Sequence, residues 1–241
     1  MKTRAAGQGS DVPNPYENEE LRAVCGETLR PGGLAVTQQA LELCAFPAGS
    51  RLIDLGCGLG GTLKYLREQG FEAIGVDKSP ALLTEAKVHG PVCEADFHNL
   101  PFENDYADGL LCECALSLAR DKSRVLAECF RVLKAGGRLI ISDIFRLKKA
   151  GIINPPPAFP PGGCLHGAVD LETMRKLLQD NGFETECFAD HSRALKELAA
   201  RLVWHFGSTA ALTELFDGCA SGNGRGFGYA LFIARRRKDQ L

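Results

Sequence analysis

Between residues 51 and 146 the chain repeats one pattern. A short apolar run ends in glycine or an acid, and a stretch with apolar residues at helical spacing follows. "RLIDLG", "FEAIGVD", "VCEAD", "YADGLLCE" and "RLIISDIF" are the apolar runs. "GTLKYLREQG", "SPALLTEAKVHG" and "DKSRVLAECFRVLKAGG" are the helical stretches, with Ser79 as N-cap and Pro80 in the first turn of the second, and the third starting at Asp121 and closing at a glycine pair. Strands separated by helices cannot be hairpins. Each crossover returns the chain to the same edge, so the strands pair in parallel with helices on both faces. In such a sheet ligands bind beyond the carboxyl ends of the strands, so the residues after each strand are the ones to read for function.

The flanks differ. Residues 1–15 are polar with Gly and Pro and are expected to be loose. Helices are expected over 17–28 and 34–45, parted by Arg30-Pro31-Gly32-Gly33. After residue 146, "NPPPAFPPGG" excludes helix and central strand. A helix from Asp170, a sixth strand "ETECFAD", another helix "SRALKELAARLVWHF" and a last strand "GYALFIARR" then complete the chain, the late strands giving an antiparallel edge. The expected division is a loose segment with a cover helix over 1–34 and one α/β domain over 35–241, with 146–169 as a Pro/Gly-rich lid loop.

Composition narrows the partners. A formal net charge of -2 gives no broad attraction to nucleic acid or to an anionic membrane surface. No apolar run reaches the length of a membrane span, and MKTRAAGQGSDVPNP lacks the apolar core of a secretory signal, so a cytoplasmic setting is expected. There the ten cysteines are not disulfide-forming by default, and none forms a C-x-x-C pair, so no metal site is expected. Cys93 and Cys129 fall in apolar patterns as small buried hydrophobes.

After the first strand stand Asp54-Leu55-Gly56-Cys57-Gly58-Leu59-Gly60-Gly61-Thr62, and after the second Asp77-Lys78. Glycines let backbone approach a ligand, the following helix offers free N–H groups, and an acid at the position of Asp77 suits ribose hydroxyls. The glycines run G-x-G-x-G-G rather than G-x-G-x-x-G, with an acid two residues before the first. An acid there repels a pyrophosphate and suits an amino group, which favours S-adenosylmethionine over a dinucleotide. Capping of strand ends or a surface ion pair is the plainer reading of Asp54 and Asp77, and core packing that of Phe97.

These segments resemble the class I S-adenosylmethionine-dependent methyltransferases over roughly residues 35–236. "DLGCGLGGT" and "GVDKSP" are similar to the first two motifs, "ADFHNLPF" to the adenine-contact segment, and "RVLKAGGRLIISDIF" to the stretch into strand five. The resemblance implies a Rossmann-like sheet of seven strands, mostly parallel, with an antiparallel last strand. It implies that Asp54, Gly56, Gly58 and Gly60 hold the methionine end and Asp77 the ribose. Asp96 and Phe97 would meet the adenine, and Cys112 or Glu113 would border the sulfonium. Cys57 and Lys78, inside the motifs, count with the cofactor contacts. The implied reaction is in-line methyl transfer to a small-molecule acceptor with S-adenosylhomocysteine as product, in a monomer or homodimer. A cofactor-binding protein without catalysis is the alternative from another class.

"LLCECALSLARDKSRVLAECFRVLKAGGRLIISDI" and "GGCLHGAVDLETMRKLLQDNGF" further resemble segments of arsenite methyltransferases, which hold trivalent arsenic by thiolates. That resemblance places Cys114 and Cys164 at substrate cysteines, with Cys219 the candidate for a third. The family's cysteine just after the first motif has no counterpart in "GGTLKYL". His166 is open to three readings: a neighbour that activates Cys164, a general base, or a surface histidine. The pair Asp190-His191 is either a polar group on the acceptor rim or a helix N-cap. Cys164, His166 and His191 are thus the acceptor-side candidates.

Overall fold

A computed structural model describes residues 17, 19–147, 164–207 and 226–238. Seven strands form one sheet in the order β3-β2-β1-β4-β5-β7-β6. The strands are β1 Arg51–Leu55, β2 Glu72–Asp77, β3 Val92–Glu94, β4 Ala107–Glu113, β5 Leu133–Arg146, β6 Phe183–Asp190 and β7 Phe227–Arg236. The pairs β1–β2, β1–β4, β2–β3 and β4–β5 are parallel. β7 lies antiparallel between β5 and β6, so the last strand alone runs against the others. The strand order reverses between β1 and β4, which opens a crevice at their carboxyl ends.

The helices are α1 Glu19–Cys25, α2 Leu34–Cys44, α3 Gly61–Glu68, α4 Pro80–Ala86, α5 Lys122–Val132, α6 Cys164–Gly167, α7 Leu171–Asp180 and α8 Ser192–Phe206. Three start on side-chain caps: Ser79, as expected, accepts from Leu82 N–H, and at the expected helix starts Asp121 accepts from Arg124 N–H and Asp170 from Thr173 N–H. One sheet face is covered by α5 and α7, through Val125, Leu126, Cys129, Met174 and Leu178. The other is covered by α2 and α3, through Val36, Ala40, Leu63 and Leu66. Leu21 of α1 packs on Leu198 and Leu202 of α8, and Arg22 pairs with Glu85 of α4 at 2.7 Å.

Two boundaries depart from the sequence reading. α5 stops at Val132 rather than at the glycine pair, because Leu133 already pairs with Ala107 of β4. The register then jumps to Gly109 opposite Arg138, so Lys134–Gly137 is an irregularity inside β5. The second departure is at "CLHG", which the lid-loop reading left without helix. Cys164–Gly167 is one helical turn, α6, packed against a 3-10 turn at Leu116–Leu118. Most of the expected lid, residues 148–163, and the candidate Cys219 lie outside the described residues.

Gly167 sets how closely α6 docks. A Cβ there would stand 1.8 Å from the Ser117 carbonyl oxygen. Backbone cannot yield to that approach as a flexible side chain can. Gly167→Ala is therefore expected to lower stability by about 1–3 kcal/mol, as overpacking does. Thermal unfolding checks this, and an unchanged midpoint would show that α6 is not docked on the 3-10 turn.

Candidate active site

The glycine turn after β1 is locked to the end of β2. Gly56 N–H and Cys57 N–H both donate to the Val76 carbonyl, at 2.7 and 3.0 Å. The two carboxylate oxygens of Asp77 accept from Gly58 N–H and Ser79 N–H, each at 2.9 Å. Gly56 has φ +74°, and a Cβ on it would meet Ala115 at 2.8 Å, so both conformation and space require glycine. At Gly58 nothing lies within 4 Å of where a Cβ would stand. The thiol of Cys57 points away from that space: its Sγ packs over Gly75, and Cys57 joins a small apolar cluster with Leu83 and Ala86. Burial pushes that thiol's pKa up.

Asp54 is 3% exposed, and its Oδ2 is buried with no hydrogen-bond partner among the described residues. Burial raises its pKa to about 7; Glu113 and Asp77 add to the rise, and Arg30 opposes it. A buried carboxylate left in this state fits a cationic donor that arrives from outside the chain.

Glu113 occupies a different environment. Arg30 Nη2 pairs with its Oε2 at 2.8 Å. Thr37 donates at 3.0 and 3.2 Å, Thr62 at 3.2 Å and Ser142 at 3.2 Å. These donors come from the turn before α2, from α2, from the first turn of α3 and from β5. Tyr229 of β7 extends the network by donating to Ser142 Oγ at 3.0 Å. The Glu113 side chain, 2% exposed, is taken up by these partners. Cys112, one residue earlier, points to the opposite face, where its thiol is buried in the core beside Leu126 and Cys129. Neither side chain is therefore free to border a ligand.

Beyond β4, Cys114 adopts φ +52°, a left-handed conformation unusual for a residue with a side chain. Its N–H is held by the Ser142 carbonyl at 2.7 Å and its thiol donates to Tyr229 OH at 3.5 Å. Cys164 of α6 packs on the same apolar cluster as Cys114. Burial holds the Cys114 thiol well above its ordinary pKa, Asp143 and then Cys164 raise it further, and Tyr229 and Arg30 oppose. The structure thus brings Cys114 and Cys164 to one place.

The other candidates are spread along the rim. Lys78 is exposed. Asp96 is exposed and binds His98 through both the His98 N–H, at 2.9 Å, and its Nδ1, at 2.5 Å. Phe97 is half-buried against the core, with its ring centre 5.1 Å from that of His98. His166 is exposed on α6. His191 occupies the N-cap position of α8 without a side-chain capping bond, while Asp190 accepts from Ser192 N–H at 2.8 Å. The Nε2 of His191 is buried without a partner among the described residues. Sequence reading did not single out Arg30, Thr37, Thr62, Ser142 or Tyr229. One signal was available: an acid closing the apolar strand "YADGLLCE" needs a buried counter-charge.

The methyltransferase-domain family profile matches residues 53–141. The uncharacterized methyltransferase YodH of Bacillus subtilis is 34% identical over 168 residues, 64% of this chain and 68% of that protein. The chain belongs to the class I S-adenosylmethionine-dependent methyltransferases. An arsenite methyltransferase of Halobacterium salinarum is 29% identical over 196 residues, 75% of this chain but 46% of the relative. The chain thus spans less than half the length of that relative. Among solved structures, Haemonchus contortus phosphoethanolamine N-methyltransferase 2 with S-adenosyl-L-methionine superposes with a TM-score of 0.73, at 18% identity, over 91% of this chain and 56% of that one. Its likeness bears on the fold. Membership of that family makes S-adenosylmethionine the cofactor of this methyltransferase. Among the described residues no helix is long and apolar enough to cross a membrane, and no group of three or more His, Cys, Asp or Glu side chains is placed to hold a metal ion.

Asp54 sets a pH dependence in the ligand-free methyltransferase. Its folded pKa, about 7, lies above the unfolded value near 3.8, so the folded state binds more protons between those values. Stability therefore falls as pH rises through that window. Asp54→Asn, which carries no charge to bury, is expected to melt higher than the native chain at pH 8. The advantage should vanish near pH 4. With about 2–4 °C per kcal/mol for a chain of this size, the difference is readable by calorimetry. A native chain whose melting temperature rises steadily from pH 4 to pH 8 relative to Asp54→Asn would contradict the buried, unpaired carboxylate.

Proposed function

We propose that this methyltransferase acts on a small-molecule acceptor in the crevice beyond the carboxyl ends of β1 and β4. The observation that carries the reading is the buried Asp54 carboxylate, whose Oδ2 has no partner among the described residues, beside a glycine turn whose Gly58 faces open space. When bound, S-adenosylmethionine supplies a methyl carbon on a positively charged sulfur, which the acceptor's lone pair takes with S-adenosylhomocysteine as product.

In this reading Asp54 accepts hydrogen bonds from the methionyl ammonium. Gly56, Gly58 and Gly60 give the backbone room for the methionyl chain, with Cys57 and Lys78 as flanking residues. Asp77, already fixed by two backbone N–H groups, turns its remaining lone pairs to the ribose hydroxyls. Asp96 and Phe97 border the adenine, Asp96 being oriented by His98. Cys112 and Glu113 act at the sulfonium through backbone alone, because their side chains are committed elsewhere. Alignment and exclusion of water do most of the work, since the sulfonium is already activated. The described part of the N-terminal segment, Glu17 and residues 19–34, covers the crevice: Arg22 and Leu21 tie α1 to α4 and α8, and Glu17 accepts from Ser79 Oγ at 2.8 Å. His191 and His166 border the acceptor, and a base is needed there only where the acceptor loses a proton.

Ionised Asp54 is the form that receives an ammonium. Affinity for S-adenosylhomocysteine is therefore expected to weaken as pH falls below about 7, by up to roughly tenfold per pH unit for one linked proton. Titration calorimetry between pH 5.5 and 8.5 measures it. No binding at any of these pH values would end the methyl-transfer reading.

A second acceptor reading follows from one observation, the meeting of Cys114 and Cys164. Two thiols at one place suit a soft, thiophilic centre such as trivalent arsenic. Incubation with arsenite, a thiol and S-adenosylmethionine is the test. Methylated arsenic from the native chain, reduced at least about tenfold in both Cys114→Ser and Cys164→Ser, supports this reading. No product from the native chain removes it and leaves the broader acceptor class standing.

A further inference from the structure

Two buried groups of opposite charge stand unsatisfied on one face of the sheet. Asp54 lies opposite Leu111 of the neighbouring β4, and Glu113 follows Leu111 by two residues. Asp54 and Glu113 therefore project from the same face of adjacent parallel strands, one pleat apart. Arg30 reaches that face from the turn before α2 and is held on Glu113 at 2.8 Å and on Thr37 Oγ1 at 2.5 Å. Both contacts use Nη2. The Nε of Arg30 is buried with no acceptor among the described residues, and Asp54 Oδ2 is buried with no donor. Arg30 and Asp54 are 5% and 3% exposed.

Opposite charges buried on one face and acting on each other's ionisation would ordinarily pair. Here no ion pair joins them among the described residues, because the network around Glu113 fixes the guanidinium. Burial works against the Arg30 charge, but Glu113, followed by Tyr229 and Asp54, holds its pKa above the ordinary value, so the cation persists. What remains is an open N–H donor on a fixed cation beside an open acceptor on an anion. That is the complement of an α-amino acid, whose ammonium and carboxylate sit on one carbon.

We infer that Arg30 is a specificity residue for the amino-acid end of the cofactor, its Nε–H donating to the carboxylate while Asp54 accepts from the ammonium. The inference rests on the function proposed above and adds the carboxylate's partner. It also gives the cover a chemical purpose. Arg30 belongs to the segment that follows α1, so the methionyl carboxylate and the cover are held by one guanidinium.

The test compares two ligands on the native chain and on Arg30→Lys by titration calorimetry. One ligand is S-adenosylhomocysteine. The other is its decarboxylated counterpart, which keeps the ammonium and lacks the carboxylate. Lysine retains a cation beside Glu113 but deletes the Nε donor, so the buried acid is not stranded. The native chain is expected to prefer S-adenosylhomocysteine, and Arg30→Lys to lose that preference by at least about tenfold, as for a hydrogen bond to a charged group. The decarboxylated ligand should bind both chains alike. The double variant Arg30→Met with Glu113→Gln removes both buried charges and should show the same loss of preference, whatever its stability. A preference that survives in Arg30→Lys, or an equal weakening of both ligands, overturns the inference and leaves the proposed function intact. Failure of both ligands to bind the native chain overturns both.

Discussion

The buried pair of Arg30 and Glu113 is the interaction on which the arrangement of the site depends. Neither charge can be left alone in an interior of low polarity, and the loss of one partner costs about 3–5 kcal/mol. The chain meets this demand by surrounding Glu113 with donors from α2, α3 and β5, as well as from Arg30. Each donor belongs to an element that must be placed independently to form the crevice. The network therefore couples the start of α3, which ends the glycine turn, to the strand after which Cys114 is presented. It also brings the N-terminal cover into register with the sheet. An apolar cluster of the same volume could hold these elements together as tightly. It would not fix their rotation, because apolar contacts have no direction whereas a carboxylate accepts at defined positions.

The same network explains why the two acids on this face differ. Glu113 is saturated with donors. Asp54, one pleat down on the adjacent strand, is buried to a similar degree and receives nothing from the described residues at Oδ2. The Glu113 charge is among the causes that push Asp54 up to about 7. A satisfied acid thus keeps its neighbour poised to take up a cation. The cost of burying Asp54 is carried by the fold itself, a pattern expected where stability gives way to function.

The chain's order of elements was readable because it rests on local signals. Glycine at strand ends, side-chain caps at Ser79, Asp121 and Asp170, and helical spacing all act within a few residues. The parallel core and the antiparallel last strand follow from that order. What could not be read was the face on which each residue of a buried strand lies. β4 is apolar on both faces, so no alternation marks inside from outside. Cys112 and Glu113 therefore look like equal candidates in the sequence, while a one-residue step places the thiol in the core and the carboxylate in the network. Arg30 was hidden for another reason. It stands in a Pro/Gly break with no periodicity, and its partner is 83 positions away. Local pattern reports helices and strands; the pairing of a loop cation with a strand acid is a property of the tertiary fold. Asp54 could be singled out because its motif carries a chemical argument, an acid before a glycine turn, whereas Glu113 carries only a positional one.

Cys114 shows what the packing does to reactivity at the rim. Its left-handed backbone is imposed from both sides: Glu113 is fixed by its network, and the Cys114 N–H is tied to Ser142. The turn lays the thiol onto Tyr229, in an apolar setting shared with Cys164. Burial keeps the thiol of Cys114 protonated, and a protonated thiol is a poor nucleophile. That matters in an enzyme that handles an activated methyl group, because a thiolate at this rim would compete with the acceptor for it. The proton is lost only to a centre that binds sulfur more strongly than the proton does, which is the property of a soft, thiophilic ion and not of an amine or a hydroxyl. A single feature, desolvation of a thiol held by a left-handed turn, therefore keeps this sulfur neutral and leaves it open only to a soft, thiophilic centre.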